Sequence, residues 1–487
     1  MLSWNVRPGA CRLPLRPLAA AFALALALEA IEPSAATSPG MAVQQQQPHT
    51  RVVDNCGDSG TGSLRDAAEN AADGDTIDLT QLSCSVISLS TGAILIGSSD
   101  LTLQGPGAHQ LLIQGTGDSG AGILYDLGGG TLTVNGIDIA FGAKYRSDNA
   151  AHGGCIYSAG NLKVDDAHIY ACTVHANTYA ASGGALFANG FATITNTDID
   201  LCGLTTSGAA KGGGVFAGGD VVLAYSSISG CRNATTYHGY GGGVYAGGNL
   251  TVKYSTISDN ENDEGEVGDG GGTFSRGDTT IYWSTISANS ARVGGGVYLS
   301  ANNYDHTALI AESTISGNIA HSAGGIRASM PLRLINSTIA FNRIPRSYTI
   351  PLDYAFSAGL SIRDAPITIE SSIIANNVAY GTTDDPEDIG GDIPIPIDGS
   401  HNLIMSSAQP TPPDTITGDP LLAPLADNGG LTWTHALLSA SPAIDHGDTG
   451  NFDTDQRGPG FPRVLGGQAD IGAYEADPDL IFRNGFD

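Results

Sequence analysis

Basic residues are scarce in this chain. Against 49 Asp and Glu stand only 21 Lys and Arg, a formal net charge of −28 over 487 residues. Such a field repels phosphate backbones and anionic membranes, so nucleic acid is excluded as a partner, and a polyanionic substrate such as pectate is disfavoured unless cations intervene. Charged residues of both signs amount to only 14%, too few for a coiled coil, while 41% hydrophobic residues are too many for a disordered chain. No two of the seven cysteines have CxxC spacing, which argues against a zinc site. Beyond the N-terminus no apolar run approaches the ~20 residues that span a bilayer. Also missing is any helix-length amphipathic stretch between the repeated segments, so neither βαβ units nor four-stranded propeller blades fit.

What the chain has in abundance is Gly, 67 in all. Gly-rich words recur: GGCIY at 153, GGALF at 183, GGGVF at 212, GGGVY at 241, GGGTF at 270 and GGGVY at 294, at intervals of 30, 29, 29, 29 and 24, with weaker copies AGGIR at 323 and SAGLS at 357. Each is followed by a second word of the form V-x-x-S-x-I-x-x-N, such as VKYSTISDN at 252 to 260 and IAESTISGN at 310 to 318. Both are β-branched, alternating and broken by Gly or Asn, the signature of strands. A period near 29 with no helix predicts one turn of stacked strands per repeat, hence an all-β, right-handed parallel β-helix (solenoid).

Equivalent residues then stack about 4.8 Å apart. The last slot of the second word reads Gly142, Cys172, Cys202, Cys231, Asn260, Asn289, Asn318, Asn342 and Asn377. An Asn repeated at a turn can bond to the backbone and to the Asn above, so this column is read as structural. In the Gly-rich word one slot is apolar throughout (Ile156, Leu186, Val215, Val244, Val297, Ile326, Leu360) except for Thr273, and should face the core. The next residue must then point outward. Tyr157, Phe187, Phe216, Tyr245, Phe274 and Tyr298 are therefore expected as an exposed strip about 24 Å long. Such a strip could stack on sugar rings or on a partner's apolar surface, and these six are the candidate binding residues.

Ahead of the array, Ser63 to Ala72 reads as a short capping helix with Ser63 and Asp66 as a weak capping box. A cap is a physical need, because an open solenoid end exposes unpaired strand edges. Cys56 and Cys84 flank it and could staple it by a disulfide. Cys172, Cys202 and Cys231 share one slot with Cys155 nearby, so vertical disulfides are open to them, with pairing unreadable. At the extreme N-terminus Arg7, Arg12 and Arg16 precede an apolar run from Leu18 to Leu28 and small residues through Ala36, the pattern of a secretory signal peptide. Cys11 would leave with it, and six cysteines would remain in an oxidising compartment.

These words resemble known families. SLRDAAENAADGDTIDL at 63 to 79 is similar to a CSLREA-type segment, although this chain has GSLRDA in that place. The alternating repeats resemble those of polymorphic outer membrane proteins and the pectin-lyase-like β-helix superfamily. HNLI at 402, GDPLLAPLADNGGLTWTHALLSASPAIDHGD at 418 to 448, DQRGPGFPR at 455 to 463 and ADIGAYE at 469 to 475 resemble the choice-of-anchor Q domain of exported bacterial proteins. The resemblance implies this layout: signal peptide 1–36, linker 37–50, N-terminal cap 51–85, β-helix repeats 86–395, a choice-of-anchor Q-like C-terminal cap 396–476 and a tail 477–487. It also implies secretion or an outer-surface location in a Gram-negative bacterium, with IFRNGFD at 481 to 487 as a sorting or anchoring tag.

A catalytic set is harder to find. Arg276, Arg292, Arg327, Arg333 and Arg363 sit in different repeats and share no slot with an acidic cluster, so a lyase is unsupported. Asn196-Thr197-Asp198, Asp165-Asp166 and His238-Gly239 resemble the polygalacturonase words NTD, DD and HG, but in the wrong order and without RIK. Asp445, Asp448, Asp453 and Asp455 read as a hydrogen-bonded end cap, and Ca²⁺ is the one cation such acids would suit. No cofactor, metal site or catalytic residue is assigned. The expected function is non-catalytic adhesion to a polysaccharide or cell-surface partner; the alternatives are a polysaccharide lyase or glycoside hydrolase, and a structural surface spacer.

Overall fold

The computed structural model describes residues 48–116, 120–262, 267–300, 305–345, 357–379, 388–391 and 393–477. The signal segment, most of the linker and the IFRNGFD tail lie outside these residues.

Each repeat closes one turn of a parallel β-solenoid. In one turn, Val244–Ala246 joins an 11-stranded sheet, Leu250–Lys253 and Thr256–Ser258 join a 23-stranded sheet, and Glu261–Asn262 and Val267–Asp269 join a 14-stranded sheet. Thr273–Ser275 then opens the next turn, in parallel register with Val244–Ala246. The molecule is thus the expected all-β solenoid, of about 11 turns, and fits the right-handed parallel β-helix.

The expected columns align. Ile156, Leu186, Val215, Val244, Val297, Ile326 and Leu360 stack in register and are fully buried. Thr273 occupies the same column, and its Oγ1 is buried without a hydrogen-bond partner. The Gly-rich word is explained at its first two positions. Gly241 has φ +65°, and a Cβ on Gly242 would lie 2.4 Å from the carbonyl oxygen of Gly271 in the next turn. Gly adopts this left-handed corner without strain, and in the weaker copy Ala323 takes the same corner with φ +59°.

Polar groups inside the turns are satisfied by ladders. Asn260 Nδ2 donates to Asn289 Oδ1 at 2.9 Å, Asn289 to Asn318 at 3.0 Å, Asn318 to Asn342 at 2.9 Å and Asn342 to Asn377 at 2.9 Å. Each Nδ2 also reaches a backbone carbonyl, as from Asn318 to Ile286 O. One bend earlier the backbone N–H of Ser226, Ser255, Ser284, Ser313 and Ser337 each donates to the serine hydroxyl of the following turn. At the bend itself Tyr225, Tyr254 and Trp283 hold φ of +53°, +47° and +47°.

The capping helix spans Leu64–Glu69, shorter than the sequence suggests. Ser63 Oγ accepts from Asp66 N at 3.1 Å, but Asp66 turns its carboxylate to Gly62 N, so only half of a capping box forms. Asn70 Nδ2 takes the Asp66 carbonyl and stops the helix there. Cys56 and Cys84 are disulfide-bonded, as expected, with Cα atoms 6.3 Å apart. The second bridge is Cys155–Cys172, which crosses within one turn instead of joining successive turns, and it leaves Cys202 and Cys231 buried as free thiols.

Residues after Ile404 first close the last turn, with Ile404 N bonded to Ile416 O and Ile397 N to Pro410 O. The chain then runs back along the side of the stack. Thr432 Oγ1 donates to Trp283 O, Ala473 N to Thr338 Oγ1, and Gly472 N to Ser371 O. A fully buried Arg463 anchors this returning segment, meeting Glu312 of the solenoid at 3.1 Å and Glu475 at 3.4 Å. Of the C-terminal acids, Asp455 is held by Arg457 at 2.6 Å, and Asp445 accepts from the backbone of Gly467 and Gln468. Among the described residues no helix is long and apolar enough to cross a membrane.

Candidate functional site

The six aromatic residues stack in one column with Tyr125 below them. Ring centroids are 5.0 Å apart from Tyr157 to Phe187, 4.8 Å to Phe216, 5.1 Å to Tyr245, 5.3 Å to Phe274 and 5.3 Å to Tyr298. They point away from the core, but the strip is not open as expected. Phe187, Tyr245 and Phe274 are only 7%, 4% and 2% exposed. The glycine corner brings the adjacent face of the 14-stranded sheet over the rings: His152 stacks on Phe187 at 4.6 Å, Tyr240 meets Phe274 edge-on at 5.1 Å, and Lys211 Nζ lies 5.2 Å from the Tyr245 ring. Tyr157, Phe216 and Tyr298 remain partly exposed.

Charge gathers at the C-terminal end of this column. Tyr298 is followed in register by Arg327, whose guanidinium donates to Ser361 Oγ at 2.5 Å. Asp269 lies within electrostatic reach of Arg327 and Arg292, and burial pushes its carboxyl up to about 6 against their opposing pull. Burial likewise pushes the Tyr298 hydroxyl up to about 12, with Asp269 adding to it. The sequence concealed this grouping because its members come from separated segments, and Asp269 closes an acid-rich stretch, 259 to 269, in which nothing marks it out.

A second feature was not read from the sequence at all. Between the solenoid and its returning C-terminal segment lies a groove of about 710 Å³. In the strands Thr256–Ser258, Thr285–Ser287 and Thr314–Ser316 the central Ile enters the core; of the flanking residues Thr256, Ser258, Thr285, Ser287 and Ser316 line the groove, with Thr256 and Ser258 partly exposed and the other three buried. Leu422, Pro424 and Leu425 form one wall, and Trp433, 56% exposed, and Phe341 supply aromatic surface. Asp259 and Arg343, three turns and so about 14 Å apart along the stack, add one charge of each sign.

Trp433 is held by its backbone. Thr285 Oγ1 donates to Trp433 O at 2.6 Å, while Gln456 bridges Thr285 and Thr314. His435 is oriented on both sides, Nδ1 toward Ala423 O at 2.7 Å and Nε2 toward Ser316 Oγ at 2.8 Å. A carbonyl only accepts, so Nδ1 carries the proton and Ser316 donates to Nε2. Burial pushes the imidazole pKa down and keeps it neutral. A hydroxyl on a neutral His is the start of a nucleophile, but Ser316 is buried and the neighbouring Gly317 N–H is spent on Ala340 O at 3.2 Å. The pair is a docking contact that fixes the groove wall.

The polygalacturonase-like words do not assemble. Asn196 Nδ2 and Thr195 Oγ1 both bond Asp165 Oδ1, and Asp198 accepts from Ser227, all on the 23-stranded sheet. His238 and Gly239 lie on the 14-stranded sheet. No family model matches the chain and no curated protein matches it, so what stands is the fold, a parallel β-solenoid compatible with a pectin-lyase-like β-helix.

Proposed function

We propose that this chain is an exported, surface-located β-helix that binds a glycan along its flank, in the groove beside Trp433. The observation that carries the reading is an exposed indole in a groove that also presents the partly exposed Thr256 and Ser258, with Asp259 and Arg343 set along it. Sugar rings present an apolar face and a polar rim, which an aromatic platform and short hydroxyls match. Export to a Gram-negative surface is supported by the signal-like N-terminus, and a choice-of-anchor Q-like C-terminus by the motifs at 418 to 475. The six-residue aromatic column offers an additional contact where Tyr157, Phe216 and Tyr298 reach solvent.

The test is retention of the mature chain in gels carrying neutral or acidic polysaccharides. Retention on one of them, lost in Trp433→Ala and kept in Phe216→Ala, supports the groove. The reverse pattern moves the contact to the column, and no retention on any polysaccharide overturns the reading.

A second reading, a polysaccharide lyase or hydrolase, is favoured by one observation: an acid pushed toward neutrality beside two arginines and a tyrosine. Release of reducing ends or unsaturated uronates, abolished in Asp269→Asn, would establish it.

A further inference from the structure

His109, Asp138 and His168 come from three successive turns, and their ligand atoms all lie within 4.8 Å of one another. His109 sits in the turn after Leu101–Gln104, held with φ +63°. Its backbone N–H donates to Asp138 Oδ2 at 3.1 Å, and its Nδ1 lies 3.2 Å from the same oxygen. From the following turn His168 N donates to Asp138 Oδ1 at 2.9 Å. Asp138 is thus oriented by two backbone amides, one per oxygen, and keeps lone pairs free.

We propose that these three residues form a binding site for a divalent transition metal of the zinc class. Three observations support it. The Asp138 side chain is only 9% exposed, and His109 is its one ion-pair partner among the described residues. No Lys or Arg pairs with it among the described residues, and buried carboxylates are commonly paired with a cation or a metal. Second, His168 Nε2 lies 2.7 Å from Asp200 Oδ2. A carboxylate on the far nitrogen is the arrangement that orients a metal-bound imidazole, and it leaves Nδ1 as the coordinating atom. Third, the His109 Nδ1 to Asp138 Oδ2 separation of 3.2 Å matches the edge of a tetrahedron, about 3.3 Å, around an ion with ~2.0–2.1 Å bonds.

Two imidazoles and one carboxylate select zinc or a neighbouring transition metal over Ca²⁺, which takes oxygen ligands. Three protein ligands leave one tetrahedral position open to water or to an anionic group. Sequence spacing concealed the set, because each turn contributes a single ligand about thirty residues from the next. This site lies on turns well before those of the Trp433 groove, and it stands or falls independently of glycan binding.

The test uses the purified mature chain, stripped with chelator and titrated with Zn²⁺ by calorimetry, with Co²⁺ as a spectroscopic probe. The expected result is one equivalent of Zn²⁺ at micromolar or tighter affinity, together with d–d bands of a four- or five-coordinate Co²⁺ complex. His109→Ala, on an exposed turn where folding is not at stake, removes both signals. Asp200→Asn keeps the site but weakens it roughly 10- to 100-fold. A folded chain, verified by circular dichroism, that takes up no Zn²⁺ overturns the proposal. So does undiminished binding in His109→Ala and His168→Ala, which would place the metal elsewhere.

Discussion

Asn377 donates from Nδ2 to Asp388 Oδ1 at 2.8 Å, and its backbone N–H reaches the same oxygen at 3.0 Å. The asparagine ladder therefore ends on a carboxylate, whose other oxygen accepts from Ser406 N and Oγ. Every amide below it points the same way, so each turn supplies the acceptor for the turn before.

Interrupting the ladder in the middle removes four bonds at once. Asn318→Ala deprives Asn289 N and Nδ2 of their acceptor and Ile286 O and Asn342 Oδ1 of a donor. At about 1–3 kcal/mol for each buried group left unpaired, partly relieved by water, the cost should be about 3 kcal/mol. A melting temperature equal to that of the parent chain would show that the ladder is incidental to stability.

Thr273→Val should act in the opposite direction. The substitution removes a buried hydroxyl without a partner and restores the apolar column between Val244 and Val297. A gain of about 1 kcal/mol is expected, read as a higher denaturation midpoint in urea. Loss of stability would mean that the hydroxyl has a partner in solution.

The contact between Glu312 and Arg463 makes the flank sensitive to alkali. Burial pushes Glu312 up to about 8 and Glu475 up to about 7, both above their ordinary 4.5. A carboxyl whose folded pKa is raised contributes stability that is complete below 4.5 and lost as pH climbs through 7 to 8. The melting temperature should fall between about pH 4.5 and pH 8, with cleavage by added protease appearing first within 418–477. Glu312→Gln should flatten the fall, whereas Arg463→Ala should cost about 3–5 kcal/mol above pH 8, where the buried acids it strands are charged, and less in acid. A profile that rises over this range would contradict the assignment.

Cys155 and Cys172 should resist alkylation without reductant, and Cys202 and Cys231 without denaturant, since burial pushes the Cys202 thiol well up. Replacing both bridged cysteines by serine should cost about 3 kcal/mol for a loop of this length. Peptide mapping that joins Cys172 to Cys202 would replace the pairing within a turn by one between turns.

The stack itself was legible in the sequence because a solenoid repeats its environment. Each slot, from Ile156 to Leu360 or from Asn260 to Asn377, meets the same neighbours turn after turn, so composition at one slot reports one location. What the sequence could not show is whatever the repeat does not repeat. Alternation tells that Phe187 points away from the core, but not that His152, thirty-five positions earlier, lies across it. The groove depends on His435 returning to Ser316 across 119 residues, and no local pattern encodes that return. Asp269 and His109 are each single residues whose partners lie in other turns.

The returning segment changes how the molecule would carry load. In a bare stack each turn holds only its neighbours, so a pull on the last turn peels turns away one after another. Here residues 432 to 473 are bonded to turns from Trp283 to Ser371. Tension entering through the C-terminal side is shared in shear across several turns at once, and a tether attached there would grip the shaft of the rod as well as its tip.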